Sequence, residues 1–245
     1  MKGTLRTWKI PECGCVCSIS DKDNLMIEVQ YLKSHSSQSN QSIIHEYEYN
    51  GMPIMRRYGP FVYNRLRSID NTIKQALKAY PEVIAIRLKL KFPFPFAGKT
   101  ELFDPQVFGK FLTSLKTQLK CSPNHTRERG VKETNIIHYF CIRELGLDCH
   151  PYYQCILLLD FSKVSKLSVD SLDSDCLIGL IRTSWASALG EVSIHKDGLA
   201  SFPDNSTTLI KRGEEYDELF YTASYFAKVS TKSFGSISHQ FSSSK

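Results

Sequence analysis

The chain alternates between two hydrophobic rhythms, and each change of rhythm marks an element. Across residues 62–80 apolar side chains return at helical spacing (Leu66, Ile69, Ile73, Leu77) while basic residues fill the other faces. This predicts an amphipathic helix ended by Pro81. Residues 83–92 (VIAIRLKLKF) switch to a two-residue alternation of apolar and basic positions, as in a half-buried strand, and Pro93 and Pro95 stop it. Helical spacing resumes with Val107, Phe108, Phe111, Leu112, Leu115 and Leu119, for which Asp104 and Pro105 supply an N-cap and a first-turn proline. A further helix over 173–189 aligns Leu177, Ile181, Trp185 and Ala188 and ends at Gly190. At that spacing Trp185 reads as a core anchor before a base-stacking platform. A short strand over 192–194 and a turn-rich segment follow.

The richest apolar stretch is 136–160 (IIHYFCIRELGLDCHPYYQCILLLD), two strands broken by Gly146, Asp148 and Pro151, hence a hairpin. Strand side chains alternate between faces, so His138, Phe140, Ile142 and Glu144 share one side, and Tyr152, Gln154, Ile156 and Leu158 share another. A suitable register sets Glu144 across from Tyr152 and Gln154, with His150 in the adjoining turn. Oxygen donors grouped in this way suit a hard cation such as Mg²⁺ or Mn²⁺. The same residues also read as strand-end polar groups facing water.

Strand, helix, strand, strand, helix, helix is the order of an α+β layered domain, with an antiparallel or mixed sheet covered by helices. Ahead of it, residues 1–60 form an N-terminal extension in which 25–32 and 43–49 are a candidate β-hairpin around the polar loop 34–42 (SHSSQSNQS). Cys13, Cys15 and Cys17 lack the two intervening residues of common zinc pairs. The remaining 61–245 form the main domain.

Composition narrows the class. The apolar runs stay short of the roughly 18 residues that cross a bilayer, and the first residues lack a secretory apolar core, which points to the cytoplasm. Eight cysteines suggest no disulfide framework, since Cys141 and Cys155 sit inside apolar strands. The net charge of +6 is unevenly spread: residues 55–78 hold six Lys and Arg against the single acid Asp70, and no acid follows Glu218. Such patches suit a polyanion or a solvated face equally.

A second constellation lies in 214–228 (EEYDELFYTASYFAK). At about 100° per residue, Leu219, Phe220, Ala223, Phe226 and Ala227 make one stripe, and Tyr221, Tyr225 and Lys228 gather within roughly 60° on the opposite side. Phenols held off the apolar face beside an ammonium fit phosphodiester chemistry, in which a phenolate attacks phosphorus and a cation steadies the phosphate. Surface tyrosines lying on a neighbouring strand are the plainer alternative.

Tyr225-Phe226-Ala227-Lys228, preceded at four residues by Tyr221, resembles the nucleophile motif of rolling-circle replication initiators. Tyr152-Tyr153-Gln154, with Glu144 upstream, stands where those endonucleases carry a metal-binding His-hydrophobic-His motif. More narrowly, the chain from about residue 62 resembles the YagK/YfjJ C-terminal domain family of prophage proteins, related to filamentous-phage replication proteins. The residues that carry this are 81–90 (PEVIAIRLKL), Ile142-Arg143-Glu144, 151–159 (PYYQCILLL), 181–190 (IRTSWASALG) and 224–232 (SYFAKVSTK). The resemblance implies a sheet of about five antiparallel strands and metal-assisted nicking and joining of single-stranded or hairpin DNA. In it Tyr225 attacks and stays on the 5′ phosphate, Tyr221 serves a second transfer, and Lys228 steadies the tyrosine or phosphate. Glu144, Gln154, His150 and Tyr152 would hold Mg²⁺ or Mn²⁺, and Arg65, Arg67, Arg87, Lys89 and Lys232 would contact DNA. This sequence departs from the motif at both histidine positions, Tyr152 and Gln154, and at Lys89, where the prophage family usually carries an aspartate.

Two other classes remain open: a DNA-binding module without catalysis, and a prophage interaction protein whose basic patches are incidental. The chain has no G-x-S-x-G and no G-x-x-x-x-G-K-[ST] motif, so serine-hydrolase and phosphate-loop chemistry lack local support.

Overall fold

Asn50 and Gly51 take positive φ, 50° and 80°, and so close a two-residue hairpin. In this computed structural model the described residues are 8–9, 16–17, 42–93, 106–121, 137–145, 151–167, 175–190, 198–229 and 241–244. The expected strands over 25–32 and 192–194, the caps Asp104 and Pro105, and Cys13, Cys15, His150 and Lys232 lie outside them.

Strand β1 (Trp8–Lys9) pairs with β2 (Val16–Cys17). Strand β3 (Ile43–Ile44) pairs with β6 (Phe61–Val62), and the Asn50-Gly51 hairpin joins β4 (Glu48–Tyr49) to β5 (Met52–Pro53) between them. Then come α1 (Tyr63–Ala79), β7 (Glu82–Lys91), α2 (Val107–Cys121), β8 (Ile137–Leu145), β9 (Pro151–Asp160), α3 (Phe161–Leu167) and α4 (Asp175–Ala188). The order continues with β10 (Ala200–Ser201), β11 (Thr207–Lys211), α5 (Asp217–Ser224), a 3₁₀ turn (Tyr225–Ala227) and β12 (Phe241–Ser243).

The main sheet runs β10-β7-β9-β8-β12, with β11 also paired to β7, and every pairing is antiparallel. With its helices it makes the α+β architecture expected from the order of elements. Both faces are covered, because alternation in the three central strands is apolar on each side. Ile86, Leu88, Leu90, Cys155 and Leu157 pack with α2 and α4. Val83, Ala85, Phe140, Ile142, Ile156 and Leu158 pack with α1 and α5. Strand β7 therefore differs from the half-buried reading: its basic positions Arg87 and Lys89 are themselves half-buried.

Residues 43–58 join this same body, since Tyr49 and Ile54 are buried in the core beneath α1 and α5. Ile43–Ile44 pairs with Phe61–Val62, and the strand expected upstream of it, 25–32, lies outside the described residues.

Helix α4 is pinned by Trp185, fully buried against Phe92, Phe111 and Tyr153, its Nε1 donating to the Lys91 carbonyl at 2.7 Å. Gly190, at φ 72°, ends the segment. Trp185→Ala is expected to cost about 3–5 kcal/mol, read as a lower denaturation midpoint, because it empties a large site and orphans that carbonyl.

On the other face the carboxylate of buried Asp70 on α1 accepts from the Tyr216 hydroxyl at 2.7 Å and from Lys74 at 2.8 Å, which ties α1 to the start of α5. Burial first, then that hydrogen bond and the Asp70 charge, push the Tyr216 phenol well above its ordinary range. A phenol whose folded pKa is raised adds stability below the unfolded value of about 10 and loses it as pH climbs beyond. Tyr216→Phe is therefore expected to be less stable at neutral pH, with the gap to wild type narrowing above pH ~10 in denaturation measured across pH.

Candidate functional site

Strand register places the acid. Glu144 stands opposite Tyr152, while Gln154 lies one step along, between Ile142 on β8 and Lys89 on β7. All of these point to the face covered by α5, at the end of the sheet where the apolar pattern gives way to polar residues. Glu144 is only 5% exposed. A carboxylate this deep needs partners.

The turn after α5 supplies them. Ser224 Oγ donates to the Tyr221 carbonyl at 2.6 Å and accepts from the Met55 amide at 2.9 Å, so the helix end is tied down and tightens into a 3₁₀ turn at Tyr225. That turn directs the Tyr225 hydroxyl to Glu144 Oε2 at 3.2 Å, and Tyr152 donates to the same oxygen at 3.0 Å. Lys228 Nζ lies 2.6 Å from Glu144 Oε1 and 2.5 Å from the Tyr225 hydroxyl. Three side chains, Tyr152, Tyr225 and Lys228, thus share the one carboxylate, with Tyr225 and Glu144 81 residues apart in sequence.

Lys228 is held through its backbone. Its carbonyl accepts from Arg65 Nη1 at 3.2 Å, a β-bridge links it to Phe61, and the Val229 amide donates to the Pro60 carbonyl at 2.8 Å. The Tyr58 ring meets the Tyr225 ring edge-on at 4.8 Å and closes the side of the site. Sequence reading missed Tyr58, which it left in the N-terminal extension. Burial first, and then the Glu144 charge, push the Tyr225 phenol well above its usual range, so at neutral pH it holds its proton and donates it toward the acid.

Other expected residues lie apart. Tyr221 is 40% exposed, and its hydroxyl bonds to none of the described groups. The helix-to-3₁₀ change separates the two tyrosines that uniform helical spacing would keep on one face. Arg67 is exposed on α1. Lys89 Nζ sits 3.6 Å above the Tyr152 ring centroid, a cation–π contact beside the site. Arg87 lines a recess of about 110 Å³ with Asn205, Ser206, Thr208, Glu218 and Thr222. Its Nη2 donates to the Asp204 carbonyl at 3.1 Å, and its Nε is buried with no partner among the described residues.

The described donors fit a divalent cation poorly. Hard ions want several anionic or carbonyl oxygens, and here the lone carboxylate is neutralised by an ammonium and flanked by protonated phenols. Among the described residues no cluster of three His, Cys, Asp or Glu forms a metal site. Likewise, no helix among them is long and apolar enough to cross a membrane.

Residues 44–244 match the family model described as the YagK/YfjJ C-terminal domain. The chain is similar to the uncharacterized protein YfjJ of Escherichia coli (strain K12), 25% identical over 191 residues that cover 72% of this chain and 91% of the relative. No solved structure matches.

Proposed function

We propose that this chain, which belongs to the YagK/YfjJ C-terminal domain family, cuts and rejoins single-stranded DNA with Tyr225 as nucleophile. The observation that carries the reading is the Tyr225 hydroxyl held between a buried carboxylate at 3.2 Å and an ammonium at 2.5 Å. Glu144 accepts the phenol proton as the Tyr225 oxygen bonds to phosphorus, and Lys228 offsets the charge that gathers on the phenolate and phosphate. The bond from phosphorus to the 3′ oxygen breaks, and that oxygen takes a proton from solvent. The 5′ phosphate stays on Tyr225 as a diester, which keeps the bond energy for rejoining by the reverse attack.

The access route is consistent with this. Lys228 is 20% exposed while Glu144 behind it is closed off, so a phosphate meets the ammonium and phenol before the acid. Along β7, Arg87 and Lys89 would continue phosphate contacts away from Tyr225, and the buried Arg87 Nε has no partner among the described residues. Tyr221, exposed a turn away, would serve only a second transfer that follows movement of the strand.

The test is a labelled single-stranded oligonucleotide incubated with the protein and resolved under denaturing conditions. A labelled protein band, and reversal to intact or exchanged strands on adding acceptor DNA, are the expected results. Stable binding with no adduct on any single-stranded or hairpin substrate would favour the second reading, a DNA-binding module without scission. The neutral Tyr152 phenol in a metal-motif position is the observation on that side.

A further inference from the structure

We infer that this site does its phosphate chemistry without a divalent cation, because Lys228 occupies the position beside Glu144 that such an ion would need. The inference rests on the reading of Tyr225 as nucleophile and adds how that nucleophile is charged and served.

Three observations carry it. The Lys228 ammonium bridges acid and nucleophile, 2.6 Å from Glu144 Oε1 and 2.5 Å from the Tyr225 hydroxyl, the bridging role a bound ion would have. The other carboxylate oxygen is taken as well, accepting from Tyr152 at 3.0 Å and Tyr225 at 3.2 Å, so binding an ion means breaking several charge-assisted hydrogen bonds. The charge at the acid is also already balanced, since the one carboxylate faces the Lys228 ammonium directly. A carboxylate neutralised in this way attracts Mg²⁺ or Mn²⁺ weakly.

The position is built rather than incidental. The Arg65 contact and the strand bridge to Phe61 fix the Lys228 backbone, while the buried Glu144 has no solvent to turn to. An ammonium has three donors. Two go to Glu144 and Tyr225, and the third remains for a phosphate oxygen.

Two readouts on the full chain test this, and they separate the inference from the reading beneath it. In the first, adduct formation on a labelled single-stranded oligonucleotide is compared in EDTA and in Mn²⁺. Comparable yields in both are expected. An adduct that appears only with Mn²⁺ would overturn metal independence while leaving Tyr225 as the nucleophile. In the second, Mn²⁺ binding to the protein alone is followed by electron spin resonance, which needs no activity. Wild type should show no site that depends on Glu144, and Lys228→Gln should raise the affinity of one by about tenfold or more as the ammonium leaves. Micromolar Mn²⁺ binding by wild type that Glu144→Gln abolishes would refute the inference whether or not any adduct forms.

Discussion

In Tyr225→Phe the labelled protein band vanishes while binding of the same oligonucleotide stays within about twofold of wild type, since the lost hydroxyl is not a major phosphate contact. The ring keeps its edge-on contacts with Tyr58 and Phe226, and Glu144 keeps Tyr152 and Lys228. The fold therefore survives with a change of about 1 kcal/mol, the scale of one hydrogen bond. Loss of the attacking atom, by contrast, removes the covalent route altogether, and a fall in adduct rate of at least about 10³-fold is expected. Tyr221 does not replace it. Its side chain is exposed, and among the described residues no hydrogen bond joins its hydroxyl to the acid that would take its proton. An undiminished band in this variant would assign the chemistry to another residue.

Glu144→Gln should separate rate from affinity. The amide keeps the shape and can still accept from Tyr152, but it takes no proton from Tyr225, so adduct formation is expected to slow by about 10²–10⁴-fold. Removing one negative charge beside Lys228 and Lys89 makes the patch more basic, so DNA affinity should hold or rise, most clearly at low salt. Breaking a buried ion pair costs about 3–5 kcal/mol when the leftover charge is trapped. Lys228 is 20% exposed and can turn outward, which puts the expected cost at the lower end of that range or below it. Loss of binding together with rate would mean that Glu144 is only structural.

The difference between what the pattern of residues told and what it hid has physical reasons. The central hairpin was legible because its two apolar runs are long and Gly146, Asp148 and Pro151 interrupt the sequence between them; Glu144 opposite Tyr152 is the register observed. Helices α1, α2 and α4 were legible from periodic stripes whose anchor residues are buried, apart from the half-buried Leu177 and Ala188 of α4. Short edge strands were not: Ala200–Ser201, Thr207–Lys211 and Phe241–Ser243 carry too few residues for a rhythm to register. The Asn50-Gly51 pair was a hairpin signal in plain view, passed over because its flanking strands are two residues each. Helix α3 was not legible, because its seven residues, Phe161–Leu167, include two serines and two lysines and repeat no apolar stripe.

The site divides in the same way. That Tyr225 and Lys228 belong together could be read from their spacing, but their meeting with Glu144 depends on packing α5 across the sheet, and only the family resemblance suggested it. The different fates of Tyr221 and Tyr225 turn on Ser224, whose hydroxyl binds a backbone carbonyl three residues back, and uniform helical geometry takes no account of that. Arg87 and Lys89 looked like solvent-facing alternation because sequence does not reveal that α5 and residues 205–208 close around Arg87, or that Lys89 lies over the Tyr152 ring.

The central claim is that one phenol, Tyr225, becomes bonded to DNA phosphorus. Digesting the adduct with trypsin and nuclease and sequencing the peptide spanning 213–228 by mass spectrometry tests this most directly, because that peptide contains Tyr216, Tyr221 and Tyr225 together. A nucleotide remnant on Tyr225 alone is the predicted result. A remnant on Tyr221 or Tyr216, or none on this peptide, would contradict the account.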